Sequence, residues 1–236
     1  MGVLQDIQND VTSTVRQQWS IVDGQVVPQN ENVALAGGAK KIGAVMLYAD
    51  LADSTKIAMY DKQIAAKLFK AFLATAARVV RMEGGEIRSF DGDRLMAVFV
   101  GDYKNTSAVK ASLKLKYAFE TVVVPKFQST YLAFQNGTYP LAYSCGIDGG
   151  DVLVVRGGIR NNNDLVWVGR APNVAAKLST IRESTYRTYI TDSVFSMMHD
   201  DAKYGGSPRQ LMWEQRSWTG GPVPTIYRSN WRWDFT

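Results

Sequence analysis

Residues 44–100 constrain this chain more than any other stretch, because they set two aspartates, Asp50 and Asp93, on adjoining elements. The stretch opens with AVMLYAD, an apolar run ending on a carboxylate and too short for an isolated helix, so it predicts a buried strand. LADSTK follows, with the short polar residues of a turn leading into a helix. Residues 61–83 carry Ile64, Leu68, Leu73, Ala76 and Val80 at helical spacing, and Gly84-Gly85 supplies the stop. EIRSF and DRLMAVFV flank Asp91-Gly92, the pattern of a β-hairpin. If the strands at 44–50 and 93–100 are neighbours, Asp50 and Asp93 emerge at one sheet edge. Two such carboxylates repel unless one protonates or a cation lies between them. Magnesium or manganese, bound by Asp oxygens and shared with substrate phosphates, fits that need. The plainer alternative makes Asp50 a helix cap and Asp93 a surface turn residue.

Composition narrows the chemistry. At 236 residues, 46% hydrophobic and 21% charged, the chain reads as a globular domain with a sizeable core. No apolar run approaches the ~20 residues of a membrane span, so no membrane role is expected. A lone cysteine, Cys145, reads as a core residue and fits a reducing, cytoplasmic setting. A single histidine, His199, argues against a His-based zinc site or a Ser-His-Asp triad. The net charge of +5 suits a nucleoside triphosphate, and without a basic block interleaved with aromatics no nucleic-acid partner is expected.

The remaining segments give a coarse order. Val3, Leu4, Ile7, Val11, Val15 and Trp19 form one face of an amphipathic helix, suited to its own domain or to a partner subunit. Residues 22–41 read as loop or linker, which divides the chain into 1–40 and a domain from 41 to 236. A helix is expected over 103–124, ended by Pro125, with Lys110, Lys114 and Lys116 on a solvated face. A strand at 141–148 turns at Gly149-Gly150 into a second at 152–156, followed by a strand at 165–168. Pro172 opens a helix to about 181, residues 187–191 form a strand, and Asp192 caps a short helix to 198. Trp213, Trp218, Trp231 and Trp233 read as packing residues. The order of strands and helices predicts a ferredoxin-like α+β sheet with helices on one face.

YADLADST, EIRSFDGDRLMAVF, CGIDGGDVLVVRGG and WVGRAPNVAAKLS, in that order, resemble the four motifs of the class III nucleotidyl cyclases. The resemblance implies a mixed sheet with helices and a ferredoxin-like core. It also implies homodimers whose active sites lie at the subunit interface. Asp50, Asp93 and the Leu51 carbonyl would hold two divalent ions, Mn²⁺ or Mg²⁺. Backbone amides of Ala52, Asp53, Ser54 and Thr55 would meet the terminal phosphates at a helix start. Asn173 matches the ribose-orienting asparagine. Lys177 stands where the family has a transition-state arginine, on the same helical face as Asn173 but without the guanidinium fork. Arg170 or Arg94 could add a second cation, or be ordinary surface arginines.

The base-reading positions depart from the family's purine codes. Ser89 replaces a lysine or glutamate, and Val166 replaces an aspartate or cysteine; neither side chain reproduces the paired contacts those residues make to a purine. Tyr48 brings a ring to the pocket wall beside a smaller base. The combination resembles the pyrimidine cyclases of bacterial Pycsar antiphage systems. It implies UTP cyclised to 3′,5′-cyclic UMP and pyrophosphate, the product signalling to a separate effector protein. Cyclic CMP formation is the alternative, then a purine cyclase, then an inactive nucleotide-binding homologue.

Overall fold

The computed structural model describes residues 2–183 and 185–235. The chain runs α1 (Val3–Arg16), β1 (Ser20–Gly24), β2 (Gly38–Leu51), α2 (Ser54–Tyr60), α3 (Lys62–Met82), β3 (Glu86–Asp91), β4 (Arg94–Phe99) and α4 (Lys104–Ala118). A π-helical turn (Phe119–Val123) leads into α5 (Val124–Thr130) and α6 (Leu132–Gln135). Then come β5 (Tyr143–Ile159), β6 (Asn162–Val168), α7 (Arg170–Leu178), β7 (Thr188–Thr191) and α8 (Asp192–Met197). α9 (Asp200–Lys203), the ribbon β8 (Tyr204–Gly205) and β9 (Gln210–Leu211), β10 (Glu214–Ser217) and β11 (Thr225–Ser229) follow.

The main sheet has the order β10-β11-β7-β5-β2-β4-β3, with β1 beside β2 and β6 beside β5. β2 pairs antiparallel with β4 and β5, while β7 runs parallel to β5, so the sheet is mixed. Its inner order β5-β2-β4-β3, from a β-α-β-β-α-β succession, is the ferredoxin-like core. β2 is apolar throughout its second half because both its faces are covered. Val45, Leu47, Ala49 and Leu51 enter a core with α3 and α4 residues, while Ala44 and Met46 enter a second core with Met96, Val152 and Ala175.

Local chemistry sets the helix ends. Asp61 caps α3 by accepting from the Gln63 and Ile64 amides at 2.7 and 3.0 Å. Gly84, at φ +80°, ends it in the left-handed conformation. The buried stripe of α3 is Ala65, Leu68, Phe72, Ala76, Val79 and Val80, with Ile64 and Leu73 at its margins.

Five expectations are corrected. Gly149-Gly150 makes no hairpin: both lie within β5, opposite Val45 and Ala44, and the chain reverses after Ile159, where Asn161 takes φ +68°. Pro125 does not end the helical path. In the π-turn the Val124 amide reaches Phe119, and Pro125 falls in the first turn of α5, where a missing N–H costs little. The α4 lysines are not a solvated face. Lys114 pairs with Glu83 at 2.8 Å, Lys110 with Asp201 at 2.5 Å, and the buried Lys116 donates to the Asn230 carbonyl. The segment read as a linker contributes β1 to the sheet and buries Val27 and Val33. Finally, α7 lies on the sheet face opposite α3 and α4, so the helices do not share one face.

The tryptophans pack as expected: Trp213 is buried, and Trp231 and Trp233 rest against the main core. Cys145 is wholly buried, and that burial pushes its thiol far above the ordinary range. α1, by contrast, buries no residue, so its apolar face does not pack on its own chain. Among the described residues no helix is long and apolar enough to cross a membrane.

Candidate active site

β2 and β4 bring the two aspartates together. Asp50 pairs directly with Arg94, and Asp93 precedes Arg94 in the β3–β4 turn. The two-residue loop is Gly92-Asp93, one step later than the sequence suggested; Gly92 takes φ +59°, and Asp93 sits in the turn rather than opening β4. Asp50 is no helix cap, and Asp93, though a turn residue, is not fully at the surface. Asp50 lies within β2 and is nearly buried, and Asp93 is half-buried.

The electrostatics are uneven. Burial, and then the negative charge of Asp50, hold the Asp93 carboxyl above its ordinary range, while a hydrogen bond from Ser54 acts the other way. Asp93 Oδ2 is buried without a hydrogen-bond partner. Asp50 is engaged at both oxygens: Arg94 Nε lies 3.2 Å from Oδ1, and Arg182 Nη2 lies 2.7 Å from Oδ2. The same Arg182 nitrogen donates to the Leu51 carbonyl at 3.2 Å. Arg182 escaped the sequence reading because it belongs to no motif and lies 132 residues from Asp50 along the chain.

This donor set suits a hard cation. Asp93 Oδ2 is an unused buried acceptor, Asp50 adds a second carboxylate, and Leu51 a carbonyl. Among the described residues no group of three or more His, Cys, Asp or Glu side chains is placed to hold a metal ion by itself. Two carboxylates and a carbonyl leave about half of an octahedral shell open to phosphate and water, as magnesium sites at phosphates require.

The phosphate-facing turn is narrower than expected. The Ala52 amide donates to the Ala142 carbonyl at 2.8 Å, so it is not free to meet a phosphate. Asp53 takes φ +54° at the N-cap of α2, its carboxylate paired with Lys56 at 2.7 Å. Ser54 and Thr55 open α2, where amides have no partner within the helix.

Beside the aspartates runs a row of paired residues, Gly146–Tyr48–Met96–Ser89, crossing four strands. Tyr48 and Asp50 share a face by alternation, so the tyrosine ring lies one step from the carboxylates. Burial holds the Tyr48 hydroxyl above its usual range. Ser89 is exposed at the far end of the row.

Asn173 and Lys177 share the outer face of α7, both exposed. Among the described residues Asn173 Nδ2 donates only to the Gly169 carbonyl, at 3.2 Å, and Lys177 has no ion pair. Val166 is 46% exposed on β6, its side chain turned away from the buried Leu165. All three are exposed, whereas Asp50 is nearly buried. Arg170 is held elsewhere, by Asp148 Oδ1 at 3.2 Å and the Gly149 carbonyl at 3.0 Å. Of the two arginines weighed as extra cations, Arg94 stands at the carboxylates.

The same sheet and helices occur in solved cyclases. The adenylyl cyclase CyaB from P. aeruginosa superposes with a TM-score of 0.65 at 19% identity, covering 81% of this chain and 95% of that one. The molecule thus has the fold of a nucleotide cyclase domain, with Asp50 on β2 and Asp93 in the turn before the adjoining β4. No protein-family model matches the chain. A uridylate cyclase of Rhodovulum sp. (strain MB263) is 41% identical over 98% of both chains. Another, from Xanthomonas perforans, is 39% identical over 99% of both. This chain belongs to the uridylate cyclase family.

Proposed function

We propose that the chain converts UTP to 3′,5′-cyclic UMP and pyrophosphate. One observation carries the site of reaction: Asp93 Oδ2, buried and unpartnered, stands beside Asp50. The choice of uracil is supported by the full-length likeness to uridylate cyclases and by a Tyr48–Met96–Ser89 row that lacks charged purine contacts.

Asp50, Asp93 and the Leu51 carbonyl would hold two divalent ions, Mn²⁺ or Mg²⁺, which supply Lewis acidity and neutralise phosphate charge. The ribose 3′-hydroxyl attacks the α-phosphorus and the bond to the β-phosphate oxygen breaks, releasing pyrophosphate. Tyr48 bounds the base pocket, and Ser89 offers it a hydroxyl. The Ser54 and Thr55 amides face the terminal phosphates at the start of α2, with Asp53 shaping that turn. Asn173 and Lys177 act on a partner subunit's substrate, Asn173 orienting the ribose and Lys177 placing its charge near the developing oxyanion. Their outward position on α7 supports a homodimer with shared sites, each also bounded by Val166. Arg170 is bound to Asp148, which keeps it out of this role.

The product would act as a signal read by a separate effector in antiphage defence. Phage plating on cells carrying the native locus should show protection that Asp50→Asn removes; equal plating on both would sink this role.

The reaction is tested by incubating the purified chain with ATP, GTP, CTP and UTP together, with Mn²⁺, and identifying products by mass spectrometry. Cyclic UMP should dominate. Cyclic CMP would move the assignment to cytosine, cyclic AMP or cyclic GMP would overturn the base argument, and no cyclic product would overturn the activity.

A further inference from the structure

Arg182 lies just beyond the C-terminal end of α7 and is the residue that closes the carboxylate site. Its Nη2 donates both to Asp50 Oδ2, at 2.7 Å, and to the Leu51 carbonyl, at 3.2 Å. Its Nη1 donates to the Ser179 and Ile181 carbonyls, at 2.5 and 3.2 Å. One side chain therefore bridges the end of β2 and the end of α7.

The two oxygens under Nη2 are the pair assigned above to a divalent ion. A magnesium ion needs about 2.1 Å to each oxygen. Placed on the Asp50 and Leu51 oxygens, it would overlap a nitrogen held by the same two atoms. The charges also conflict, since a guanidinium stays protonated and a divalent cation at contact distance repels it. Arg182 has somewhere to remain when it lets go. Carbonyls at a helix C-terminus attract cations, and its Nη1 bonds to Ser179 and Ile181 do not involve the carboxylate. Arg94 keeps its own bond to Asp50 Oδ1, so the aspartate is not left unpaired.

We infer that Arg182 is a positioning residue that occupies the cation ligands Asp50 and Leu51 and must be displaced for a divalent ion to bind. Resting on the ligand assignment above, this couples occupation of the site to the end of α7, the helix that presents Asn173 and Lys177.

The test is calorimetric titration of Mn²⁺ into the full chain without nucleotide, for wild type, Arg182→Gln, Arg182→Lys and Asp50→Asn. Removing the competing cation should tighten Mn²⁺ binding by at least about tenfold in Arg182→Gln. Arg182→Lys, which keeps the charge without the fork, should fall between. In thermal melts Arg182→Gln should start lower than wild type and gain more from Mn²⁺. Equal or weaker Mn²⁺ affinity in both Arg182 variants, with Asp50→Asn still abolishing binding, would overturn the inference and make Arg182 a support of the site. If Arg182→Gln fails to fold, Arg182→Lys decides by the same criterion. Should no chain show Mn²⁺ binding that Asp50→Asn removes, the ligand assignment itself falls and the inference with it.

Discussion

Asp50 is bound by two arginines, from β4 and from the segment after α7, while Asp93 keeps an unused oxygen. Replacing Asp50 by Asn removes a charge that the two arginines pair with and that the proposed cation would need. Cyclase turnover should fall at least about 100-fold with an unchanged circular dichroism spectrum; turnover within tenfold of wild type would reject the assignment. A second buried acid, Asp148, is wholly enclosed. Burial pushes its carboxyl up, against hydrogen bonds from Thr191 and Ser193 and the charge of Arg170. A folded-state pKa above the unfolded one means that the native state binds the proton more readily. Ionised Asp148 therefore opposes folding above its folded pKa, and that opposition fades as pH falls through this value to the ordinary carboxylate pKa near ~4. Asparagine does not titrate. The melting temperature of wild type relative to Asp148→Asn should thus move in wild type's favour as pH is lowered from 7 towards 4. Movement the other way would contradict the burial argument.

Among the elements, α7 lies flat on the sheet because of one glycine. A Cβ at Gly146 would stand 2.1 Å from the Ala175 carbonyl oxygen and 2.4 Å from the Ser179 amide nitrogen. Neither backbone group can give way without lifting the helix. Gly146→Ala should cost about 1–3 kcal/mol in denaturant unfolding. It should also lower activity, since Gly146 pairs with Tyr48 and α7 carries Asn173, Lys177 and the attachment of Arg182. Wild-type stability and activity in this variant would show that α7 tolerates displacement.

At the scale of the whole molecule, the groups proposed to act on the substrate are divided between the carboxylate end of the sheet and the outer face of α7. A homodimer with shared sites predicts complementation. Mixing Asp50→Ala and Lys177→Ala chains yields mixed dimers in about half the population, each with one whole site of two, so about a quarter of wild-type activity should return. No recovery, with mixed dimers demonstrated by native mass spectrometry, would exclude shared sites.

The sequence by itself determined what depends on near neighbours in the chain. The strand before Asp50, the cap and stop of α3, the glycine turn beside Asp93 and the Asn173–Lys177 face of α7 follow from alternation, helical periodicity and glycine's freedom at positive φ. The family likeness was legible for the same reason, since its motifs are short and contiguous. Only the tertiary structure decided what depends on partners far along the chain. Gly149-Gly150 looks like a turn until β2 pairs with it along its length, and the α4 lysines look solvated until Glu83, Asp201 and Asn230 meet them. Arg182 carries no local signature at all. Its place on Asp50 and Leu51 arises because α7 packs against β5, beside β2, and delivers a guanidinium to two oxygens that no sequence spacing connects to it.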